Sequence, residues 1–271
     1  MITEINAFTE YMDFIEEMAE DPCYSDPHYT FDKENLFKAL GRDDEVVYVC
    51  ESGDVTTGLF VWNLVPEDRN MELLIAFSRE KEAYREMMEY MENKYKGFKA
   101  DFVFNPKNDA IRGFLEERGA KFDPEQVWLT WKKEVPATYS CQIEEYTEKW
   151  KDAYMEMHND EGRFWTAEKV LNAPETFRVL LAIKDEKLIG YMDVTHCHED
   201  NEPFDIFVKE EFAEEDYEAA LMQKALELNK PKKMSYLVDV DDTRSIDICK
   251  SLGFEVMEGR NSMYAWFQTK K

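Results

Sequence analysis

The stretch FDIFVKEEFAEEDYEAALMQKAL combines a short apolar strand, a charged connection and a helix, which is the layout of a phosphate-binding loop. Such loops use glycine to bring backbone N–H groups close to an anion at a helix N-terminus. The connection from Lys209 to Glu218 has one base, six acids and no glycine. Repulsion between a phosphate charge and a carboxylate about 4 Å away costs on the order of 4 kcal/mol. The attraction between an anion and the helix N-terminus contributes only about 0.3–2 kcal/mol. The layout therefore predicts a position for an anion, but the six acids of the connection oppose anion binding there.

A second stretch has the same layout and a different charge. AFSREKEAYR, from Ala76 to Arg85, has three bases and two acids, and Ser78 could cap a helix or bond a phosphate directly. We expect any anionic cofactor to prefer this stretch. The alternative is that Arg79, Lys81 and Arg85 are solvated helix charges.

Other reactive side chains give weaker patterns. In THCHED, His196 and His198 would share one face of a strand and could bind zinc or nickel, with Asp193, Glu199 and Asp200 nearby. A polar turn explains the same residues, and we predict no metal. His28 and His158 are isolated, and Cys50 and Cys249 have no histidine nearby in sequence, so we expect small buried thiols. Because Walker A, GxSxG and HExxH patterns are missing, nothing favours a hydrolase or a nucleotide kinase.

Composition limits the partners. The 271 residues carry a net charge of −26, which opposes binding to nucleic acid and to anionic membranes. A cationic or neutral partner is favoured. The first twenty residues are acidic and lack a signal-peptide pattern, and apolar runs are far shorter than the roughly 20 residues that cross a bilayer. Five scattered cysteines indicate reduced thiols. We expect a cytoplasmic protein.

The elements that position these residues occur twice. MELLIAFSREKEAYREMMEYM aligns without a gap on the stretch beginning at Phe204, so that Glu72 matches Asp205 and Ile75 matches Val208. Paired hairpins precede the two stretches, VVYVCESGDVTTGLFVWNL and RVLLAIKDEKLIGYMDV. A strand, a polar turn, a short helix and a glycine follow each. Each copy ends on an aromatic strand, QVWLTW or SMYAWF.

Each copy is predicted as a strand, helices, three strands, a helix, a strand, a helix and a strand. This order indicates an α+β fold with a mixed sheet in each of two tandem domains. We place the domains at residues 1–134 and 139–271, separated within EVPATY, where a proline interrupts the chain. One face of the first long helix, with Tyr84, Met88 and Met91, is predicted to pack on a core.

This order, given twice, resembles a tandem pair of GCN5-related N-acetyltransferase (GNAT) domains, and the resemblance covers nearly the whole chain. DDTRSIDICKSLGF is similar to that family's Asn-x-x-Ala…Gly-Phe segment, with Asp242 at the Asn position and Gly253-Phe254 at its end. In the first copy Asn108 stands at the Asn position. The resemblance implies a tandem GNAT fold.

The resemblance also implies acetyl-CoA lying between the diverging fourth and fifth strands, with its pyrophosphate at the following helix. The residues implied at that position are Ile75, Ala76, Ser78, Arg79, Lys81, Asn108 and Val208. The family's glycines are missing from both copies. Its proton-donating tyrosine is replaced by Leu115 in the first copy and Cys249 in the second.

For a general base, the resemblance points to Glu72 and Asp205, at matching places on the fourth strand, where burial would raise the carboxyl pKa. The implied function is acyl transfer from acetyl-CoA to a primary amine of a small molecule or a basic peptide. The alternative is a catalytically inactive GNAT-fold module that binds a ligand or a protein and does not bind acetyl-CoA.

Overall fold

The computed structural model describes residues 1–136, 139–161 and 163–270, which form two compact units. The first unit comprises Met1–Val127 together with Glu258–Lys271, and the second comprises Trp128–Met257. Both units combine helices with sheets, and each unit has one sheet that contains both parallel and antiparallel strand pairs. The predicted α+β fold class is therefore confirmed.

The first unit has one seven-stranded sheet. Its strands are β1 (Ile2–Glu4), β2 (Glu45–Ser52), β3 (Val55–Val65), β4 (Asn70–Phe77), β5 (Lys99–Phe104), β6 (Lys121–Phe122) and, from the end of the chain, β15 (Met263–Gln268). The strand order is β1-β2-β3-β4-β5-β15-β6. The β4–β5 pair is parallel, and the other neighbours are antiparallel.

Five helices cover this sheet. They are α1 (Met12–Glu20), α2 (Pro27–Phe31), α3 (Glu34–Ala39), α4 (Lys81–Lys94) and α5 (Asp109–Glu117). The predicted stripe of α4 is confirmed, because Tyr84, Met88 and Met91 are buried with Trp62 of β3 in one apolar cluster. A second cluster lies on the other face of the sheet, where Ile15 and Met18 of α1 are fully buried. The sheet is thus packed on both faces.

The second unit divides its strands between two four-stranded sheets. Its strands are β7 (Gln126–Trp131), β8 (Gln142–Glu145), β9 (Phe177–Lys184), β10 (Lys187–Thr195), β11 (Asp200–Asn201), β12 (Pro203–Val208), β13 (Lys233–Asp239) and β14 (Phe254–Val256). The sheets have the orders β12-β10-β9-β8 and β11-β13-β7-β14. The helices are α6 (Lys151–Met157), α7 (Ala167–Leu171), α8 (Tyr217–Asn229) and α9 (Thr243–Ser251).

Both predicted hairpins are present, as β2–β3 and β9–β10. The turn of the second hairpin places Asp185 and Glu186 at φ of 49° and 60°. Two positive φ values in succession match the twist that a tight hairpin requires.

The terminal strands are exchanged between the two sequence copies. β15, from the second copy, lies between β5 and β6 of the first unit, while most of β7, from the first copy, lies between β13 and β14 of the second. The compact units therefore differ from the linear ranges 1–134 and 139–271 at these strands, and those ranges stay a prediction about the sequence repeat. Of the predicted junction, Ala137 and Thr138 lie outside the described residues. Within the described chain, no helix is both long and apolar enough to span a bilayer.

Candidate functional site

The fourth and fifth strands of the first unit separate partway along their length. The β4–β5 register runs from Asn70 opposite Lys99 to Leu73 opposite Phe102. Both strands continue beyond this point, β4 to Phe77 and β5 to Phe104. The two strand ends form the sides of an opening.

The same separation is more complete in the second unit. β11 pairs in parallel with β13 through Asp200–Lys233 and Asn201–Met234. The chain then continues as β12, which pairs with β10 in the other sheet. The fourth strand thus leaves the fifth after Asn201.

In the first unit, the segment from Asp21 to Asp26 bridges the opening. On the β4 side, the Asp26 carboxylate accepts a hydrogen bond from the Ala76 N–H at 3.0 Å. On the β5 side, the Asn105 amide donates to the carbonyls of Pro22 and Ser25 at 3.1 and 3.3 Å. The chain's own segment therefore bonds to both diverging strands.

The residues implied for coenzyme binding in the first unit already have partners. Ser78 is fully buried, and its hydroxyl donates to the Thr57 carbonyl at 2.7 Å. Arg79 forms ion pairs with Glu17 and Asp21. The remaining implied residues are also placed: Ile75 and Ala76 are buried in β4, Lys81 pairs with Glu117 at 2.5 Å, and Asn108 caps α5 by accepting from two backbone N–H groups. The positive charge of this stretch is matched by the protein's own acids.

In the second unit, the acidic connection leads into α8, which begins at Tyr217. Glu218, in its first turn, accepts from the Ser245 hydroxyl at 2.6 Å and pairs with Arg244 at 3.3 Å. Val208, the remaining residue implied at the cofactor position, lies opposite Gly190. A carboxylate occupies the helix end where the resemblance implied a phosphate.

A network of buried polar groups lies in the second unit beside β12. We call it the acid–histidine cluster, and its members are Tyr154, His158, Arg163, Tyr191, Asp193 and Asp205. The Tyr154 hydroxyl lies 2.9 Å from both Asp193 oxygens, and His158 Nε2 lies 3.1 Å from Asp193 Oδ2. Asp193 has no exposed surface. The second carboxylate, Asp205, accepts from the Tyr191 hydroxyl at 2.6 Å.

Local structure explains how these groups meet. Tyr154 and His158 are four residues apart at the end of α6, so they project from one side of the helix. In the β10–β12 pair, Asp193 lies opposite Asp205. Residues directly opposite in a sheet share a face, so both carboxylates face α6.

Each carboxylate is balanced by one cation. Burial raises the pKa of Asp193, against hydrogen bonds from His158 and Tyr154 that lower it. Burial alone would lower the pKa of His158, but the hydrogen bond and charge of Asp193, together with the Asp160 hydrogen bond and the Asp205 charge, outweigh it, so the net shift is upward. Arg163 lies 2.5 Å from Asp205 Oδ2, and this contact offsets the burial that would lower the guanidinium pKa.

Asp160 holds the imidazole in place. His158 Nδ1 lies 2.7 Å from Asp160 Oδ1, and the same oxygen accepts from the Ala167 N–H at 2.8 Å. His158 Nε2 therefore faces Asp193 and Asp205, at 3.1 and 3.7 Å. The ring can receive or supply a proton on the side of both carboxylates.

The two residues implied as bases have different surroundings. Asp205 belongs to the acid–histidine cluster. Glu72 lies in the first unit opposite Asp101, where burial raises its pKa and the charge of His28 lowers it.

Two residues of the acid–histidine cluster were not recognised from the sequence, where His158 was isolated and Asp193 was considered only beside His196. The available signals were the Tyr154–His158 spacing and the Tyr191–Asp193 alternation.

One group of described residues could hold a metal ion, since His158, Asp193 and Asp205 each offer a ligand atom within 4.8 Å of the others. Arg163 and two tyrosine hydroxyls already bond to these carboxylates. The sequence candidates lie elsewhere. His196 Nε2 contacts the Pro174 carbonyl at 2.9 Å, and the backbone N–H of His198 donates to Asn201.

Comparison with known proteins shows a shared fold. A GCN5-related N-acetyltransferase from Sphaerobacter thermophilus aligns at a TM-score of 0.60 and 11% identity, covering 88% of this chain and 86% of that one. A tandem GNAT protein from the clavulanic acid biosynthesis pathway aligns at 0.52 and 12% identity, covering 99% and 98%. A GCN5-related N-acetyltransferase-like protein from Streptococcus suis aligns at 0.52 and 11% identity, covering 97% and 100%.

No protein-family profile and no curated protein sequence matches the chain. The agreement therefore lies in the fold, and it extends over both copies. The tandem neighbour matches the chain almost end to end, as the sequence repeat predicted. The chain therefore has the fold of the GCN5-related N-acetyltransferases, arranged as a tandem pair.

Proposed function

We propose that the protein transfers an acyl group from an acyl-CoA to a primary amine, and that the second unit binds the amine. The observation that carries this proposal is the position of Asp205. This carboxylate lies on β12, the part of the fourth strand that has left the fifth, and belongs to the acid–histidine cluster. A carboxylate beside a strand opening is suitably placed to bind an ammonium group and accept its proton.

The reaction needs three changes at this position. Asp205 takes a proton from the ammonium, and the neutral amine attacks the thioester carbonyl. The C–N bond forms and the nitrogen releases its second proton to solvent, the C–S bond breaks, and the coenzyme A thiolate leaves and takes a proton from solvent. His158 is hydrogen-bonded to Asp193, and its Nε2 lies 3.7 Å from Asp205 Oδ2, so a basic group stands beside the carboxylate that receives the proton.

The first unit offers a matched control for the test. Asp101 is also a buried carboxylate that accepts a tyrosine hydroxyl, from Tyr264, and it also lies near a cation, Lys99. Release of free thiol from acetyl-CoA would be followed with a panel of amines and basic peptides. We expect Asp205→Asn to lower turnover by about 10²–10⁴-fold, the usual contribution of a general base. Asp101→Asn should leave turnover within a few-fold. Equal losses in both variants would contradict the assignment.

A second candidate function has its own supporting observation. In the described residues, one opening is bridged by Asp21–Asp26 and the other unit has a carboxylate at the helix end. Both features oppose coenzyme A and favour a GNAT-fold module that binds an amine without catalysis.

Melting temperature with coenzyme A separates the two functions. A site with a micromolar dissociation constant should stabilise the protein by about 2.7 kcal/mol at a hundredfold ligand excess. Absence of any shift at millimolar acetyl-CoA would exclude acyl transfer. Glu214→Gly combined with Asp216→Gly would then show whether acidity alone prevents binding, because removing two carboxylates should permit a shift.

A further inference from the structure

The Arg163 guanidinium contacts the carboxylate of Asp205, which is the group that binds the amine in the proposed function. Arg163 Nη1 is 2.5 Å from Asp205 Oδ2, and the arginine side chain is 38% exposed, against 10% for Asp205. The guanidinium therefore approaches a buried carboxylate from the solvent side. This is the approach that an external organic cation would take.

Charge within the cluster explains why a cation is needed there. His158 contacts Asp193 at 3.1 Å and balances that carboxylate, whereas Asp205 is 3.7 Å from the imidazole. Without Arg163, Asp205 would keep the Tyr191 hydroxyl as a hydrogen-bond donor and, among the described residues, would have only His158 as a basic neighbour, which lies closer to Asp193. A buried carboxylate in that position attracts a replacement cation.

Aromatic rings continue from the carboxylate toward solvent. Asp205 and Phe207 alternate on β12 and so share a face. The Tyr191 ring stacks on His158 at 5.2 Å and lies 6.0 Å from the Phe207 ring, which is 42% exposed. A ligand whose ammonium reached Asp205 would place its body against Tyr191 and Phe207.

We propose that the second unit binds an organic cation with an ammonium or guanidinium group on an apolar or aromatic body, and that Arg163 occupies its position on Asp205 until the ligand displaces it. The inference rests on the proposed function and defines its acceptor class. The net charge of −26, and the Asp205 charge that is uncovered when Arg163 is displaced, act against anionic ligands.

Calorimetry without any acyl-CoA tests the inference. The probes are 2-phenylethylamine, its uncharged counterpart 2-phenylethanol, and guanidinium chloride at millimolar concentration with sodium chloride as the ionic-strength control. We expect Arg163→Ala to bind 2-phenylethylamine about tenfold or more tightly than the wild type, since a competing charge-assisted bond is removed. The affinity for 2-phenylethanol should not increase in this variant. Guanidinium should stabilise this variant more than the wild type.

Asp205→Asn added to Arg163→Ala should abolish the gain. Arg79→Ala, which removes an arginine from Glu17 and Asp21, two acids more exposed than Asp205, is the matched control and should create no site. Should the alanine variant fail to fold, Arg163→Gln removes the charge at similar length. Affinity equal to that of the wild type, or a gain that persists without the Asp205 charge, would overturn the inference. Cation binding without thiol release would overturn only acyl transfer.

Discussion

Asp26 and Asp193 are both almost fully buried carboxylates, with 2% and 0% exposure, and they are stabilised by different partners. Asp26 accepts from the backbone N–H groups of Tyr29 and Ala76. Asp193 accepts from the Tyr154 hydroxyl and contacts the His158 imidazole. Backbone donors make Asp26 part of the structure that bridges a strand opening, whereas side-chain donors give Asp193 a partner that can exchange protons.

Asp26 should make stability depend on pH. Burial raises its pKa from 3.8 to about 6, although the His28 charge and backbone N–H groups of Ala76, Tyr29 and His28 oppose this. The folded state therefore holds the proton more tightly than the unfolded state. This stabilisation is fully present below about pH 4 and is lost as pH rises through about 6. Relative to Asp26→Asn, the wild-type free energy of unfolding should fall by about 2.4 kcal/mol between pH 4 and pH 8. The free energies of unfolding of both proteins would be measured in urea at each pH. A difference between them that does not change with pH would contradict this prediction.

Tyr154 and Tyr146 form a matched pair of residues. Their rings lie 6.0 Å apart, yet the Tyr154 hydroxyl bonds to Asp193 and the Tyr146 hydroxyl bonds to none of the described residues. Tyr154→Phe removes one of the two side-chain partners of a buried carboxylate, so we expect a loss of about 1–3 kcal/mol in chemical denaturation. Tyr146→Phe should be neutral or slightly stabilising. Equal costs would show that the Tyr154–Asp193 bond contributes little.

At the scale of elements, the separation of the fourth strand from the fifth has a local cause in the second unit. The β10–β12 register shifts between Asp193 and Val194, and Val194 then faces Pro203. Proline has no N–H to donate, so a ladder is readily interrupted there. The irregularity directs β12 away from β13 and places Asp205 beside Asp193.

Two glycines with similar backbone conformations differ in how closely another segment approaches them. Gly253 and Gly259 have φ values of +94° and +75°, which disfavour other residues. A Cβ on Gly253 would lie 2.0 Å from the Lys133 carbonyl oxygen, whereas a Cβ on Gly259 would meet nothing within 4 Å. Gly259→Ala should cost about 1–2 kcal/mol, the price of the backbone conformation. Gly253→Ala should cost clearly more in urea denaturation, and a similar cost for the two would contradict the contact.

At the scale of the whole molecule, each compact unit is completed by a strand from the other sequence copy. In the first unit, Ala265 and Phe267 of β15 are buried, and the Phe267 ring stacks on Phe102 at 5.5 Å. β15 also bonds to both β5 and β6. The first unit therefore lacks a central strand unless the last residues of the chain are present.

A chain that ends at Met257 should lose protection in the first unit. Without β15, β5 has no neighbour on that side, so backbone N–H groups of Lys99–Phe104 should exchange with solvent much faster. Hydrogen exchange measured by mass spectrometry would show this. A peptide of residues 258–271 added in excess should restore protection, and a scrambled peptide should not. Unchanged exchange at β5 would contradict the strand assignment.

The sequence by itself determined the tandem repeat, the element order and the hairpins, because strand alternation, helical periodicity and turn residues are local signals. That Asp205 and Glu72 occupy matching places on the fourth strand stays a prediction from the sequence repeat. Asn108 and Asp242 were placed by resemblance, and each does cap its short helix. These features require no knowledge of which strands become neighbours.

Only the tertiary structure decided what surrounds those residues. The exchange of β7 and β15 depends on the energies of competing strand pairings between similar copies, which sequence periodicity does not distinguish. The bridging of one opening by Asp21–Asp26 joins residues about fifty and eighty positions apart. His158, Asp193 and Asp205 likewise come from a helix end and two strands. Their chemistry arises from proximity and burial, which are properties of the folded chain.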